Sequence, residues 1–317
     1  ELSNNIMTIK ADLSKEDDIK HVVSTTAKIT EHSGLYAIVN NAGKCLPGNI
    51  EWLKIDAYKK SMDINFYAPV NITQQLIYLV KKAQGRIINI ASVDGFLPLP
   101  TNAAYCSSKH ALEAYSDVLR CEMLPWKVKV ILIEPCTMKT PMALSYADKW
   151  LESFTSNLSA NTYDYSLEWA NDIHNNMKTG IEKVAENPEV TVDKIIDSLT
   201  LINPPHRIQP GILSKLLFKP ISILPSFFRD KLLYIMSFRS IITPTRLKLN
   251  HYVPQYKKIS HLTITVRNLE KSIEWYQNIG FEKIGDIVCG QQFLKSGKNL
   301  LGSPLILLKE DEFMVDR

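Results

Sequence analysis

The sequence has no paired-cysteine framework. Its five cysteines, at positions 45, 106, 121, 136 and 289, are odd in number and form no C-x-x-C pair, which argues against a disulfide scaffold or zinc ribbon and for a reducing, intracellular setting. It has no run of about 18 apolar residues, so no stretch reads as a membrane-spanning helix. It has little excess charge: 37 Lys and Arg against 33 Asp and Glu give +4, too small to imply a nucleic-acid partner. Neither an internal repeat nor a low-complexity tract is present. Position 1 is Glu1 rather than Met and no signal-peptide pattern follows it, so the expectation is a processed chain or a fragment.

What is there is an ordinary globular composition, 45% hydrophobic and 22% charged over 317 residues, enough for about two domains. Residues 35–40, 86–91 and 128–133 are nearly continuous β-branched or apolar runs, as expected of parallel strands covered on both faces. Residues 55–83 and 107–124 between them are patterned for helices. The alternation predicts an α/β fold with a doubly wound parallel sheet. Residues 140–205 read as mainly helical. Residues 206–258 hold ten Lys or Arg against the single acid Asp230, a local charge of +9 that leaves −5 for the remainder. Large apolar residues such as Leu216, Phe218, Phe227 and Phe228 are interleaved with those bases. After Pro254 the pattern changes to a small β-α-β-β-β unit, with Asn268 as N-cap and Gly280 as stop of its helix.

The chemistry concentrates between Ser92 and Lys109. Ser92 ends a buried strand, where open α/β sheets bind ligands. Tyr105 and Lys109 are i and i+4 on the helix that follows and share one face. A phenol titrates near pKa 10, and an ammonium group beside it favours the phenolate. A Ser hydroxyl, a Tyr phenol and a Lys ammonium together suit proton transfer in carbonyl/alcohol interconversion.

Around these residues the sequence resembles the short-chain dehydrogenase/reductase family over about residues 7–250. The matching pieces are Ala11-Asp12-Leu13 after a strand, Asn40-Asn41-Ala42-Gly43, Asp63-Ile64-Asn65, Ile90-Ala91-Ser92, Tyr105-Cys106-Ser107-Ser108-Lys109, and the stretch from Glu134-Pro135 to Thr140. Glu51-Trp52-Leu53 and Glu113 to Asp117 are similar to its retinol and hydroxysteroid dehydrogenase branch. The resemblance implies an NAD- or NADP-dependent oxidoreductase acting on a small lipophilic alcohol or its ketone or aldehyde. It implies Tyr105 as acid/base, Lys109 lowering its pKa and binding the nicotinamide ribose, Ser92 holding the reacting oxygen and Asn65 anchoring a relay water. Asp12 and Leu13 would meet the adenine, and Asn40, Ala42 and Gly43 the adenosine side. Pro135 and Thr140 would meet the nicotinamide end or the pyrophosphate. Alternative roles are that Asn65 bridges backbone and that Asn40 braces its strand.

Two departures bear on this expectation. The glycine-rich phosphate turn of the family is absent, so the expected Rossmann-type domain lacks its first βαβ part and the chain as given would bind a dinucleotide poorly and be inactive. Cys136 stands where the family usually has glycine. The expected domains are 1–250, of dehydrogenase type, and 256–317, which resembles half of a vicinal-oxygen-chelate (glyoxalase-like) module. That second resemblance nominates His261 as a metal ligand, but the last strand offers no partner carboxylate, so no metal is expected. The basic-apolar stretch 206–258 suits either peripheral contact with a membrane facing the cytoplasm or a substrate lid and subunit contact in a homo-oligomer. Rival functions are a non-catalytic scaffold on a degenerate dehydrogenase fold and a metal-dependent chelate-fold enzyme.

Overall fold

The computed structural model describes residues 6–157 and 165–235 of one compact unit, Glu1–Leu249, and residues 262–266, 269–278, 281–288, 291–296 and 305–310 of a second, Asn250–Arg317. The first unit runs α1 (Glu16–Thr30), β1 (Ala37–Asn40), α2 (Ile55–Met62), a π turn (Asp63–Tyr67), α3 (Ala68–Ala83), β2 (Arg86–Ile90), α4 (Ala103–Met123) and β3 (Lys129–Ile133). Then come α5 (Pro141–Leu144), α6 (Tyr146–Thr155), α7 (Leu167–Val184), α8 (Glu189–Thr200), β4 (Arg207–Ile208), a second π turn (Ser214–Phe218), α9 (Lys219–Ser222) and α10 (Ser226–Leu233). The four strands are parallel and lie in the order β1-β2-β3-β4.

All five residues of β2 are buried, which explains the absence of a polar alternation in its sequence. On one face Ile38, Ile87 and Val130 pack with Val23 of α1, Leu79 of α3 and Leu119 of α4. On the other, Ile88, Ile90, Ile131 and Ile133 meet Ile195 and Leu199 of α8. Each such side chain contributes roughly 1.5–3 kcal/mol on leaving water, and the two faces together make the doubly wound α/β fold. Gly85 admits β2 to this layer, because a Cβ there would stand 2.3 Å from the Tyr36 carbonyl oxygen.

Two expectations are corrected. The strand before Asp12 is not formed: residues 6–12 run irregularly into α1, with Ile6 and Met7 exposed. A strand needs a hydrogen-bonded neighbour, and among the described residues β1 pairs only with β2. The helix expected over 55–83 is interrupted by the π turn at Asp63–Tyr67. In the basic-apolar stretch, Pro220 lies in the first turn of α9 and Pro225 directly precedes α10, so the prolines delimit short helices. Residues 236–258 of that stretch lie outside the described residues.

The second unit runs β5 (Leu262–Val266), α11 (Leu269–Asn278), β6 (Phe281–Val288), β7 (Gln291–Ser296) and β8 (Leu305–Glu310). Its sheet order is β5-β8-β7-β6, with β5 parallel to β8 and the other pairs antiparallel. His261, Asn268 and Gly280 lie outside the described residues.

Candidate active site

The site forms where the C-terminal ends of β1, β2 and β3 meet the N-terminal half of α4. Beyond β2 the chain remains in the sheet for one more bond, Ala91 N–H to the Ile133 carbonyl at 2.8 Å, and then turns at Ser92. The Ser92 hydroxyl accepts from the Asp94 N–H at 3.2 Å and so caps the short turn Val93–Gly95. The Pro135 carbonyl accepts from the Val93 N–H at 3.0 Å, which ties the two strand ends together.

α4 brings Tyr105 and Lys109 beneath this turn. Lys109 is buried, donates from Nζ to the Ile90 carbonyl at 2.6 Å and lies 5.6 Å from the Tyr105 ring centroid. Asn65, fully buried in the π turn, accepts from the Lys44 N–H at 2.7 Å and donates from Nδ2 to the Lys44 carbonyl and to Ser108 Oγ, both at 2.9 Å. It thereby fastens the loop after β1 to α4. Gly43 lies in that loop, and a Cβ on it would come 3.5 Å from Asn65 Oδ1 and 3.9 Å from Lys109 Nζ. Gly43, Asn65, Ser92, Tyr105 and Lys109 are therefore drawn to one place from four separate segments.

Burial lowers Lys109 from its usual range to about 8, with Asp94, Cys45 and Glu113 pulling it back up. Burial raises the Tyr105 phenol, the Asp94 carboxylate and Cys45 raise it further, and hydrogen bonding from Ser92 works the other way. Loss of water is the largest of these influences on the phenol. Cys45, buried and facing Asp94, is pushed up to about 12.

Residues 1–150 match the short chain dehydrogenase family. Retinol dehydrogenase 7 of Mus musculus is 30% identical over 241 residues, covering 75% of each chain. The chain belongs to the short-chain dehydrogenase/reductase family. The family is one of oxidoreductases, and the chain's class is that of a dehydrogenase-type enzyme. The 17-beta-hydroxysteroid dehydrogenase type 6 of Mus musculus is 31% identical over 239 residues, covering 74% of each chain. A short chain dehydrogenase from Burkholderia cenocepacia, solved in complex with NADP, shares the fold with a TM-score of 0.54 at 17% identity, over 74% of this chain and 81% of that one.

Other residues singled out from the family pattern lie in local roles that are visible in the structure. Asp12 is exposed and accepts from the Ser14 N–H and hydroxyl at 3.0 and 2.7 Å, contacts that hold its carboxyl below the usual carboxylate range. Leu13 packs on the core beside α1. Asn40 braces its strand, donating to Asn89 Oδ1 at 2.7 Å and Thr73 Oγ1 at 3.3 Å. Ala42 is exposed. Thr140 caps α5 through the Ala143 N–H at 3.5 Å. The half-buried Cys136 thiol is raised by burial, lies 4.0 Å from Thr137 Oγ1 and belongs to the loop after β3.

Sequence reasoning missed two features. Asp94 is a buried acid inside the site, and its one signal was an acid two residues after Ser92 in an otherwise apolar run. The second is a charge cluster one turn further along α4. Arg207 reaches Glu113 and Asp117 at 2.6 Å each and also bonds Glu134, which additionally accepts from Gln209. Burial and the neighbouring Glu134 raise Glu113 to about 7, against the pull of Arg207. Gly95 allows this approach, since a Cβ there would meet Glu113 Oε1 at 2.6 Å.

Proposed function

We propose that the chain interconverts a lipophilic alcohol and its aldehyde or ketone with NAD or NADP, Tyr105 moving the proton. The observation that carries this reading is Lys109, an ammonium group buried beside the Tyr105 ring and tied to the Ile90 carbonyl at the strand end that Ser92 extends. A lysine buried without a carboxylate on it is costly, and such perturbed groups cluster at working sites.

The residues fit a nicotinamide–ribose group. Gly43 leaves open the space between Asn65 and Lys109 that a side chain would fill, and the crevice lies at the carboxyl ends of parallel strands. When bound, the dinucleotide supplies or accepts the hydride. Lys109 would bind the ribose hydroxyls, and Gly43 with Ala42 would line the adenosine side. Ser92 Oγ holds the substrate oxygen, and the Tyr105 hydroxyl gives that oxygen a proton or takes one from it. Asn65 keeps the Gly43 loop at its distance from α4.

Two features support an apolar substrate. The named relatives are retinol and hydroxysteroid dehydrogenases. A cavity of about 510 Å³, lined by Ile50, Pro98, Leu99, Cys106 and Leu233 among others, opens beside the helix turn that carries Tyr105. Exposed Ile212, Leu216, Ile223, Phe227 and Phe228 alternate with Lys215, Lys219, Arg229 and Lys231, which favours peripheral contact of this stretch with an anionic lipid surface. For the second unit the reading is a chelate-type module that binds no metal.

The test is NADH and NADPH binding by this chain and by one extended upstream, followed by turnover of retinol and a hydroxysteroid. Tyr105→Phe is expected to fold and to lose 10²–10⁴-fold in turnover. Binding of neither nucleotide by either chain would overturn the reading in favour of a scaffold.

A further inference from the structure

Glu186 is not among the residues the proposed function uses, yet it is held at both ends. It lies in the short linker between α7 and α8. Its main chain pairs with the loop after β3 as a parallel strand would. The Glu186 N–H donates to the Thr137 carbonyl at 3.0 Å, and the Glu186 carbonyl accepts from the Lys139 N–H at 2.8 Å. Its side chain reaches the other way. Oε1 accepts from the Ile212 and Leu213 N–H groups at 3.0 and 3.3 Å. These are the first two N–H groups of the helical stretch 212–222, donors that the helix itself leaves without partners, and the carboxylate also meets the positive end of the helix dipole. Gly211 admits it: its φ is +86°, and a Cβ there would overlap Glu186 Oε2.

Each end of this strut belongs to a different wall of the site. The loop 136–140 continues β3, and the family pattern puts the nicotinamide end of the dinucleotide against it. The stretch 212–222 carries Leu217, Phe218 and Ile221, which pack with Phe96, Leu97 and Leu99 beyond Ser92 and with Leu233 of α10. Leu99 and Leu233 line the apolar cavity. Hydride transfer needs both reactants at a near-attack distance, and a misplacement of about 1 Å can cost on the order of 10²-fold in rate. We propose that Glu186 is a positioning residue that fixes the spacing between the loop receiving the nicotinamide and the wall receiving the alcohol. This rests on the dehydrogenase reading and adds the residue that sets its two binding walls in register. Glu186 touches neither ligand; it acts through Lys139 on one side and Leu213 on the other. α8, which follows it, packs on the sheet through Ile195 and Leu199, so the strut has a fixed base. Ser214 separately holds the stretch 212–222 to the Glu134 carbonyl at 2.9 Å, so loss of Glu186 loosens the two walls without detaching the helix.

Hydrogen exchange of the full chain tests this without nucleotide or turnover, read by mass spectrometry on peptides covering the loop after β3, the start of the stretch 212–222, and β2. Glu186→Ala is expected to speed exchange about tenfold in both of the first two peptides, as loss of charge-assisted bonds predicts. β2 is expected to exchange as in the native chain. Glu186→Gln keeps an acceptor oxygen and is expected to restore most of the protection in both. Gly211→Ala displaces the carboxylate and leaves Glu186 in place; it is expected to loosen the loop after β3 in the same way, and decides should Glu186→Ala fail to fold. Faster exchange at 212–222 alone, with the loop as slow as in the native chain, overturns the proposal. So does a Gln variant no better protected than Ala. With a chain that turns over an alcohol, Glu186→Ala is expected to lose roughly 10²-fold in kcat at a nearly unchanged KM, and Glu186→Gln to recover it; a native kcat in the Ala variant also overturns the proposal. Failure of the dehydrogenase reading would show separately, as no nucleotide binding by the native chain, and the exchange result would then decide the spacing of the two walls.

Discussion

Lys109 is held in its charged form at a cost to the fold. Its value near 8 lies below the ordinary lysine value of 10.5. The unfolded chain therefore binds that proton more tightly, and this group's contribution to stability rises as pH climbs from about 8 to 10.5. At neutral pH the penalty is on the order of 3 kcal/mol, partly offset by the bond to the Ile90 carbonyl. Lys109→Met is expected to raise the urea midpoint, corresponding to about 1 kcal/mol or more of added stability, while abolishing turnover; a lower midpoint would contradict this. Glu113 has the same sense of slope reversed. Its carboxyl is raised from 4.5 to about 7, so its contribution is full below the unfolded value of 4.5 and is lost as pH rises through about 7. Urea melts at pH 5 and 7.5 should show a smaller pH dependence in Glu113→Gln than in the native chain. Ser92, Tyr105 and Lys109 were legible in the sequence because their spacing fixes a strand end and one helix face. Asp94 was not, because its partners come from contacts that no spacing rule encodes.

At the scale of elements, α4 is the organising rod. Tyr105, Lys109 and Glu113 are spaced by four along it and form one stripe, so the site and the Arg207 cluster share a helix face. Arg207→Ala would leave the fully buried Glu134 and the nearly buried Glu113 without their cation. The expected cost is about 3–5 kcal/mol, read as a fall in the thermal midpoint. Asn65→Ala removes two bonds to the Lys44 loop and one to Ser108 of α4 and is expected to cost roughly 1–3 kcal/mol while weakening nucleotide binding. The sequence showed the alternation of strands and helices because hydrophobic period follows burial. It hid the irregular course of residues 6–12, whose apolar character reads as a strand although pairing depends on a neighbour. The second π turn was equally hidden: its buried Ser214 donates to the Glu134 carbonyl at 2.9 Å, a contact with a residue far away in the chain.

For the molecule as a whole, charge is distributed unevenly, +9 within 206–258 against −5 elsewhere. No described helix is long and apolar enough to cross a bilayer. Sedimentation with vesicles containing phosphatidylserine is expected at low salt and should fade towards 1 M salt, where screening acts within about 3 Å. Phe227→Ser combined with Phe228→Ser should weaken it at every salt level, and binding to neutral vesicles of equal strength would contradict the electrostatic part. The asymmetry was plain in the sequence, whereas the exposure of Phe227 and Phe228 needed the fold.

The π turn at Asp63–Tyr67 has a consequence for chain length. An α-helix advances about 100° per residue, and a π turn accommodates one residue more than a regular turn. α2, which packs against α4, and α3, which packs against α1 and β1, are therefore set out of phase by that one residue. Deleting any single residue of 63–67 would restore an unbroken helical ladder and turn one of those faces away from its partner. Local regularity would increase as the site came apart, so the length of this segment is under tighter constraint than the identity of most residues in it.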